Sequence, residues 1–308
     1  MTLTAQQPTR PSAPLRDRSR RRVRRRFPWG AAALALGFVL GVGVLLYPSA
    51  AAWLTQYAQS QRIDEYSSTV QDLTAESRHD AIQDAVAYNS ALINGTSVVA
   101  AGENKPLAEA DADSDYAQLL HADDTGLMAR IKIPSIALDL PIYHGTSDET
   151  LKEGVGHLEG TALPVGGPST HSVLTGHRGL AEAELFTNLD KVAVGDSFTI
   201  EVFGEVLTYQ VIDTKVVEPE QTETLYPQQG ADLVTLVTCT PLGINSHRIL
   251  VTAERILPTP IRDLDAAGQR PDIPGFPYWA LGLAAAILAA GTYVVFSARR
   301  RPAVVSGR

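Results

Sequence analysis

LVTLVTCTPLGINSHRILVTAERI, residues Leu233 to Ile256, decides how this chain is read. An apolar, β-branched run reaches Thr238 and stops at Pro241 and Gly243, and a second run starts near Arg248. β-branched side chains suit the pleated, half-buried surface of a strand, while Pro and Gly interrupt it. The pattern predicts strand, short turn and return strand. That connection brings Cys239, ending the first strand, and Arg248, beginning the second, to one end of the same sheet. Cys239 is the chain's one cysteine, so it has no internal disulfide partner. Such a thiol is an inert buried side chain, a partner for another chain, or a nucleophile.

Working outward, LMARIKIP, LDLPIY, HSVLTG, DSFTIEVF and VLTYQVIDTKVV are further short β-rich runs after Gly126, separated by Gly, Pro, Asn and Asp. Several short strands at this spacing predict a barrel or sandwich. Upstream, Trp53, Tyr57, Ile63, Tyr66, Val70 and Leu73 recur at helical spacing, as do Ile82, Val86, Tyr88 and Leu92 within Asp80–Ile93. Residues 101–125 are acidic and alanine-rich. They read as a solvated linker or as a segment covering a site, with Tyr116, Leu119 and Leu120 as contact points. Pro258–Pro277 reads as a proline-rich tether.

The formal net charge of -8 conceals an asymmetry. Nine arginines against one aspartate crowd residues 1–26, and four arginines lie in residues 299–308, so the middle carries about -20. Each basic cluster abuts an uncharged apolar run, Phe27–Tyr47 and Pro277–Ser297, with aromatic residues toward the ends. Each is long enough to cross a hydrocarbon core of about 30 Å. Arginine clusters stay on the cytoplasmic side, so both tails point in and the acidic middle points out. Ser49–Ala52 is small enough for a signal peptidase, but the first run exceeds a signal-peptide core and reads as an anchor. The acidic exterior argues against anionic polymers, including nucleic acid, as partners held by charge alone.

A cysteine attacks as its thiolate and needs a base or positive charge nearby. Of seven histidines, His79 lies on the polar side of the helices and His121 in the acidic segment. His144 and His157 sit beside glycines and read as turn residues. His171 starts a strand, and His177 follows that strand's end in VLTGHRG, where its ring can project from a rim. Arg248 offers a fixed fork of donors for a thiolate or an oxyanion. Arg178 is the rival arginine, and strand alternation would put it on the opposite side from His177.

Taken together, these stretches resemble a sortase of class C, the pilus-assembling class. The family's TLxTC stands as Thr235–Cys239, its later arginine as Arg248, and its TGHRG as Thr175–Gly179. Gly156–Gly179, Leu185–Phe198, Cys239–Ile256, the helices ending at Tyr88–Asn89 and the second apolar run resemble that class too. The resemblance implies a mainly β fold, an eight-stranded sortase β-barrel with an N-terminal helical extension and two flanking transmembrane helices. The implied organisation is a cytoplasmic tail (1–26), a transmembrane helix (27–47), an extracellular helical extension (48–100), a lid segment (101–125), the catalytic barrel (126–257), a tether (258–276), a second transmembrane helix (277–297) and a cytoplasmic tail (298–308).

By that likeness Cys239 is the nucleophile, His177 the general acid/base and Arg248 the oxyanion or substrate-orienting residue. The substrates are exported pilins or surface proteins with an LPxTG-like C-terminal signal, cleaved through a thioester that a lysine of another pilin resolves. No metal or organic cofactor is expected. The class usually has an Asp-Pro-aromatic lid motif. Here Asp113, Asp115 and Tyr116 supply acids and an aromatic without the proline, and Tyr116 is the candidate lid aromatic. Two alternatives stay open: a housekeeping sortase joining proteins to peptidoglycan, and a non-catalytic membrane-tethered binding protein on the same scaffold.

Overall fold

The computed structural model describes residues 27–93, 115–123, 125–221, 223–271 and 274–300. Two compact units are present: Leu45–Leu281, and Met1–Val44 together with Gly282–Arg308. The described part of the latter consists of the ends of two helices, α1 (Trp29–Asp72) and α6 (Tyr278–Arg300). Both helices are long and apolar enough to cross a membrane, with mean hydropathy of 2.2 and 1.9 in their most apolar stretches.

The larger unit is built on eight strands: β1 (Leu127–Ile133), β2 (Leu138–His144), β3 (Val155–His157), β4 (Thr170–Thr175), β5 (Ser197–Val202), β6 (Glu205–Val217), β7 (Asp232–Thr240) and β8 (His247–Arg255). They close into a barrel in the order β1-β2-β3-β4-β7-β8-β6-β5. Pairing is antiparallel except at β2/β3 and β4/β7. β5 shows why the sequence closes this way. Phe198, Ile200 and Val202 alternate with Ser197, Thr199 and Glu201, and only the apolar set is buried. Ile131, Ile142, Leu174, Leu236 and Val251 fill the same core. The chain thus has the predicted sortase-type β-barrel, a helical extension before it and an apolar helix at each end.

The extension differs from its sequence reading in two respects. α1 runs through Pro48 without a break, so the apolar run and the first extension helix are one 44-residue helix. The alanines at 50–52, strong helix formers, sustain the helix just past the proline. α2 (Ala75–Ile93) starts earlier than the predicted Asp80, because Thr74 caps it by accepting from the Ser77 amide at 3.0 Å. α2 lays Ile82, Ala85 and Asn89 on the barrel. Asn89 is buried and serves both backbone groups of Leu163: Nδ2 donates to the carbonyl at 3.0 Å and Oδ1 accepts from the amide at 2.7 Å. A clamp of two buried hydrogen bonds cannot be broken singly without stranding a polar group, which costs about 1–3 kcal/mol.

The predicted proline-rich tether is a docked strap. Within the short helix α5 (Ile261–Asp265), Asp263 accepts from Thr208; after it, Gly268 N donates to Glu201, and the Gln269 carbonyl accepts from Arg130 at 2.7 Å. Arg130 is 1% exposed and also holds Asp139 through two bonds of 2.6 and 2.7 Å. A buried guanidinium persists only where its donors are matched, and here the strap supplies one acceptor. Further on, Arg270 faces Asp64 at 3.5 Å, and the Gly275 carbonyl accepts from the Trp53 indole at 2.7 Å.

Candidate active site

The β7–β8 hairpin holds the predicted pair. Cys239 lies directly opposite Arg248 in the antiparallel register. Directly opposed residues share a face of the sheet, with Cβ atoms about 4.5–5.5 Å apart. The turn between them is fixed by bonds from the Ile244 and Asn245 amides to the Pro241 carbonyl, and Asn245 and Gly243 adopt positive φ. Arg248 Nη1 donates to the carbonyls of Asn245 and His247 at 2.9 and 3.1 Å. Both bonds use one nitrogen and hold the guanidinium at the mouth of the hairpin.

His177 arrives on the neighbouring strand. β4 and β7 run parallel, with Thr175 level with Val237. Cys239 lies two residues further along β7, and His177 two residues past the end of β4, so both leave the barrel at the same rim. The link is reinforced beyond the ladder. Gly176 N donates to the Val237 carbonyl at 3.0 Å, and the buried Thr238 hydroxyl donates to the Gly176 carbonyl at 2.7 Å. A Cβ at Gly176 would lie 2.7 Å from the Phe186 ring, so the approach requires glycine there. Cys239, His177 and Arg248 are all partly exposed.

Burial pushes the His177 pKa below its ordinary value. Asp148 opposes that shift and Lys152 adds to it; both belong to the helix α4 (Asp148–Glu153). The ring is therefore mostly neutral at pH 7, and its protonated form is a stronger acid than a free imidazolium. The short acidic start of α4 is a contribution that sequence reasoning missed. No local signal joins residues 148–152 to His177, because the connection is made by the β2–β3–β4 pairing.

Arg178 is held elsewhere. Its Nη2 pairs with Asp190 at 2.9 Å, Nε donates to the Thr187 carbonyl, and Nη1 donates to the Thr240 hydroxyl at 2.9 Å. It brackets the His177 turn to the end of β7, next to Cys239. Leu242 in the β7–β8 turn packs against Gly179 so closely that a Cβ there would lie 2.4 Å from it.

Three other histidines, His171, His144 and His157, are committed to structure. His171 is buried, with Nε2 on the Thr235 hydroxyl at 2.7 Å and Nδ1 on the Tyr226 carbonyl at 3.1 Å. His144 and His157 are the last residues of β2 and β3 rather than turn residues, because those strands extend through them. Both surround Tyr116, in the one-turn helix α3 (Asp115–Gln118). The Tyr116 hydroxyl meets His157 Nδ1 at 2.7 Å and accepts from the Gly145 amide at 3.2 Å. His157 Nε2 lies 2.9 Å from the Ala162 carbonyl, which can only accept, so Nε2 carries the proton and Nδ1 accepts from Tyr116. Tyr116 is 3% exposed, and its ring contacts are with Tyr88, His144 and His157. Asp113 and the whole of residues 101–114 lie outside the described residues, and Asp115 is described only as the first residue of α3. Among the described residues, no group of three or more His, Cys, Asp and Glu side chains is arranged to hold a metal ion.

Comparison with known proteins agrees with this geometry. Residues 131–256 match the sortase domain family model. A crystal structure of sortase C1 from Streptococcus agalactiae is 47% identical, covering 62% of this chain and 96% of that chain with a TM-score of 0.53. Streptococcus pneumoniae sortase C, whose structure is described as informing catalysis and pilin substrate specificity, is 40% identical over 64% of this chain and 96% of its own, at a TM-score of 0.55. Among curated proteins, sortase D of Bacillus subtilis is 28% identical over 129 residues; the match spans 41% of this chain and 62% of that protein. With the barrel, the Cys239–Arg248 pair and these relatives together, the chain belongs to the sortase family of cysteine transpeptidases, with class C sortases as its structural neighbours.

Proposed function

We propose that this protein is a membrane-anchored transpeptidase that joins pilin subunits, with Cys239 as nucleophile, His177 as general acid/base and Arg248 as the oxyanion or substrate-orienting residue. The observation that carries the assignment is the rim arrangement: Cys239 opposite Arg248 on one hairpin, with His177 two residues past the end of the parallel strand β4. The substrate is an exported protein with an LPxTG-like sorting signal. Neutral His177 takes the proton of the Cys239 thiol, the thiolate adds to the threonine carbonyl carbon, and the oxyanion that forms faces the Arg248 fork. His177 in its acid form protonates the departing glycine amine, the Thr–Gly bond breaks, and a thioester remains. A lysine amine of a second pilin then attacks. His177 takes up its proton, the C–S bond breaks, and an isopeptide bond is left with a regenerated thiolate. Each half-reaction returns the site to its starting charge.

Both ends of the chain lie in the cytoplasm in this reading, and the barrel stands outside. The apolar helices and the flanking arginines support it. The lid role of residues 101–125 belongs to this reading; residues 101–114 lie outside the described ones, and Tyr116, fixed on His157, supports an ordered attachment for the segment.

The test is intact mass measurement of residues 50–275 incubated with an LPxTG-type peptide. A gain equal to the acyl fragment, mapped to Cys239 and discharged by a lysine peptide, is expected. Discharge only by a peptidoglycan-type amine would replace pilin joining with cell-wall anchoring. No adduct, with or without residues 101–122, would favour the non-catalytic scaffold.

A further inference from the structure

We propose that the groove between α1 and the turn Leu180–Glu182 receives the stretch of substrate that links its cleavage site to its own membrane segment. This rests on the membrane-anchored transpeptidase reading above.

Two independent observations fix the ends of the groove. At its outer lip, the Tyr47 hydroxyl donates to Glu182 at 2.8 Å. Tyr47 closes the uncharged run of α1, and tyrosine at that position marks the level where a spanning helix leaves the lipid. At its inner end, Lys152 lines the groove and acts through space on His177. Leu180 lines it as well and follows His177 by three residues. A space of about 390 Å³ thus leads from the level of Tyr47 toward the proposed acid/base.

Its walls suit an extended, mostly uncharged peptide. Leu54 and Ala58 of α1 line it together with Leu180, Arg62 is paired with Glu153, and Lys152 supplies donors for peptide carbonyls. The turn is ordered, since Leu180 and Ala183 form a β-bridge. A substrate anchored by its own apolar helix beside α1 would present its link at the lip. Its cleavage site would then lie near His177 without the chain detaching from the bilayer. The groove would act on membrane-retained substrates and be indifferent to short soluble peptides that end soon after the cleavage site.

Cys239 is the chain's one cysteine, so the full chain carrying Cys239→Ala offers a background without thiols. In that background, Ala58→Cys places a single thiol on an exposed groove position, and Gln61→Cys places one on an exposed position of α1 that does not line it. Each variant is inserted in lipid vesicles with a peptide that has an LPxTG-type motif, a linker carrying one cysteine, and an apolar span of about 20 residues. Under mild oxidation, Ala58→Cys is expected to cross-link to the linker at least about tenfold faster than Gln61→Cys. Equal rates, or no cross-link at position 58, would overturn the groove. Wild-type cleavage of the same peptide is measured in parallel. Cleavage without the cross-link would sink the groove and spare the transpeptidase; no cleavage would sink the reading on which the groove stands.

Discussion

Two regions of this barrel carry histidines at the ends of neighbouring strands, β3 and β4, and they are built in opposite ways. At the rim, His177, Cys239 and Arg248 are partly exposed and are placed by the backbone bonds of Gly176, Val237 and Asn245. Beneath α3, His157 is fully buried and both ring nitrogens are committed, one to Tyr116 and one to Ala162. The rim spends backbone order to leave reactive groups available. The buried cluster uses up every polar group to hold a segment in place. Available groups should therefore control rate and committed groups stability.

That separation can be broken or sharpened by substitution. The largest effect expected is from Cys239→Ala, which should abolish the acylated species in mass spectra while leaving the melting temperature close to wild type. His177→Ala should follow, lowering kcat/KM about 10²–10⁴-fold with the fold intact by circular dichroism. Arg248→Lys should lose at least about tenfold, because a single ammonium cannot reproduce a planar fork of donors. A lysine variant with wild-type turnover would remove the oxyanion role.

The buried side should behave inversely. Tyr116→Phe strands His157 Nδ1 and the Gly145 amide, and should cost about 1–3 kcal/mol by urea denaturation. Acid should find the same cluster. Burial holds the His157 pKa down to about 4, so between pH 6.5 and 4 the unfolded chain binds the proton that the folded chain refuses. Stability from this group is complete above about pH 6.5 and falls as pH falls toward 4, by on the order of 3 kcal/mol. His157→Gln, which can still donate to Ala162, should flatten that slope. An unchanged slope would assign the acid sensitivity to other groups.

Much of this was legible in the sequence, for reasons that differ by element. The strands showed because alternation and β-branching are local, and the Cys239–Arg248 juxtaposition follows from one short turn. The position of His177 depended on a parallel pairing between distant strands. There, the motif resemblance supplied what spacing alone left open. The end of the uncharged run at Tyr47 was read as the boundary between anchor and extension, yet α1 continues through Pro48 to Asp72, because helix formation follows backbone preference and not the apolar run alone. The tether misled because its composition is that of a linker, while its order comes from Arg130, Glu201 and Asp64, each far away in sequence. Tyr116 stood in an acidic stretch that read as a cover, and nothing nearby signalled that His157 and Gly145 would bury it.

The Trp53–Gly275 bond has a practical consequence. It joins two residues 222 positions apart, and the Trp53 and Trp279 rings also meet edge to face at 6.4 Å. The whole excursion, barrel and helices included, therefore leaves and returns at a single point. A domain with adjoining ends can be spliced into a surface loop of a host protein or closed head to tail by a short linker with little rearrangement. Cut at 53 and 275, this one has the geometry of a cassette.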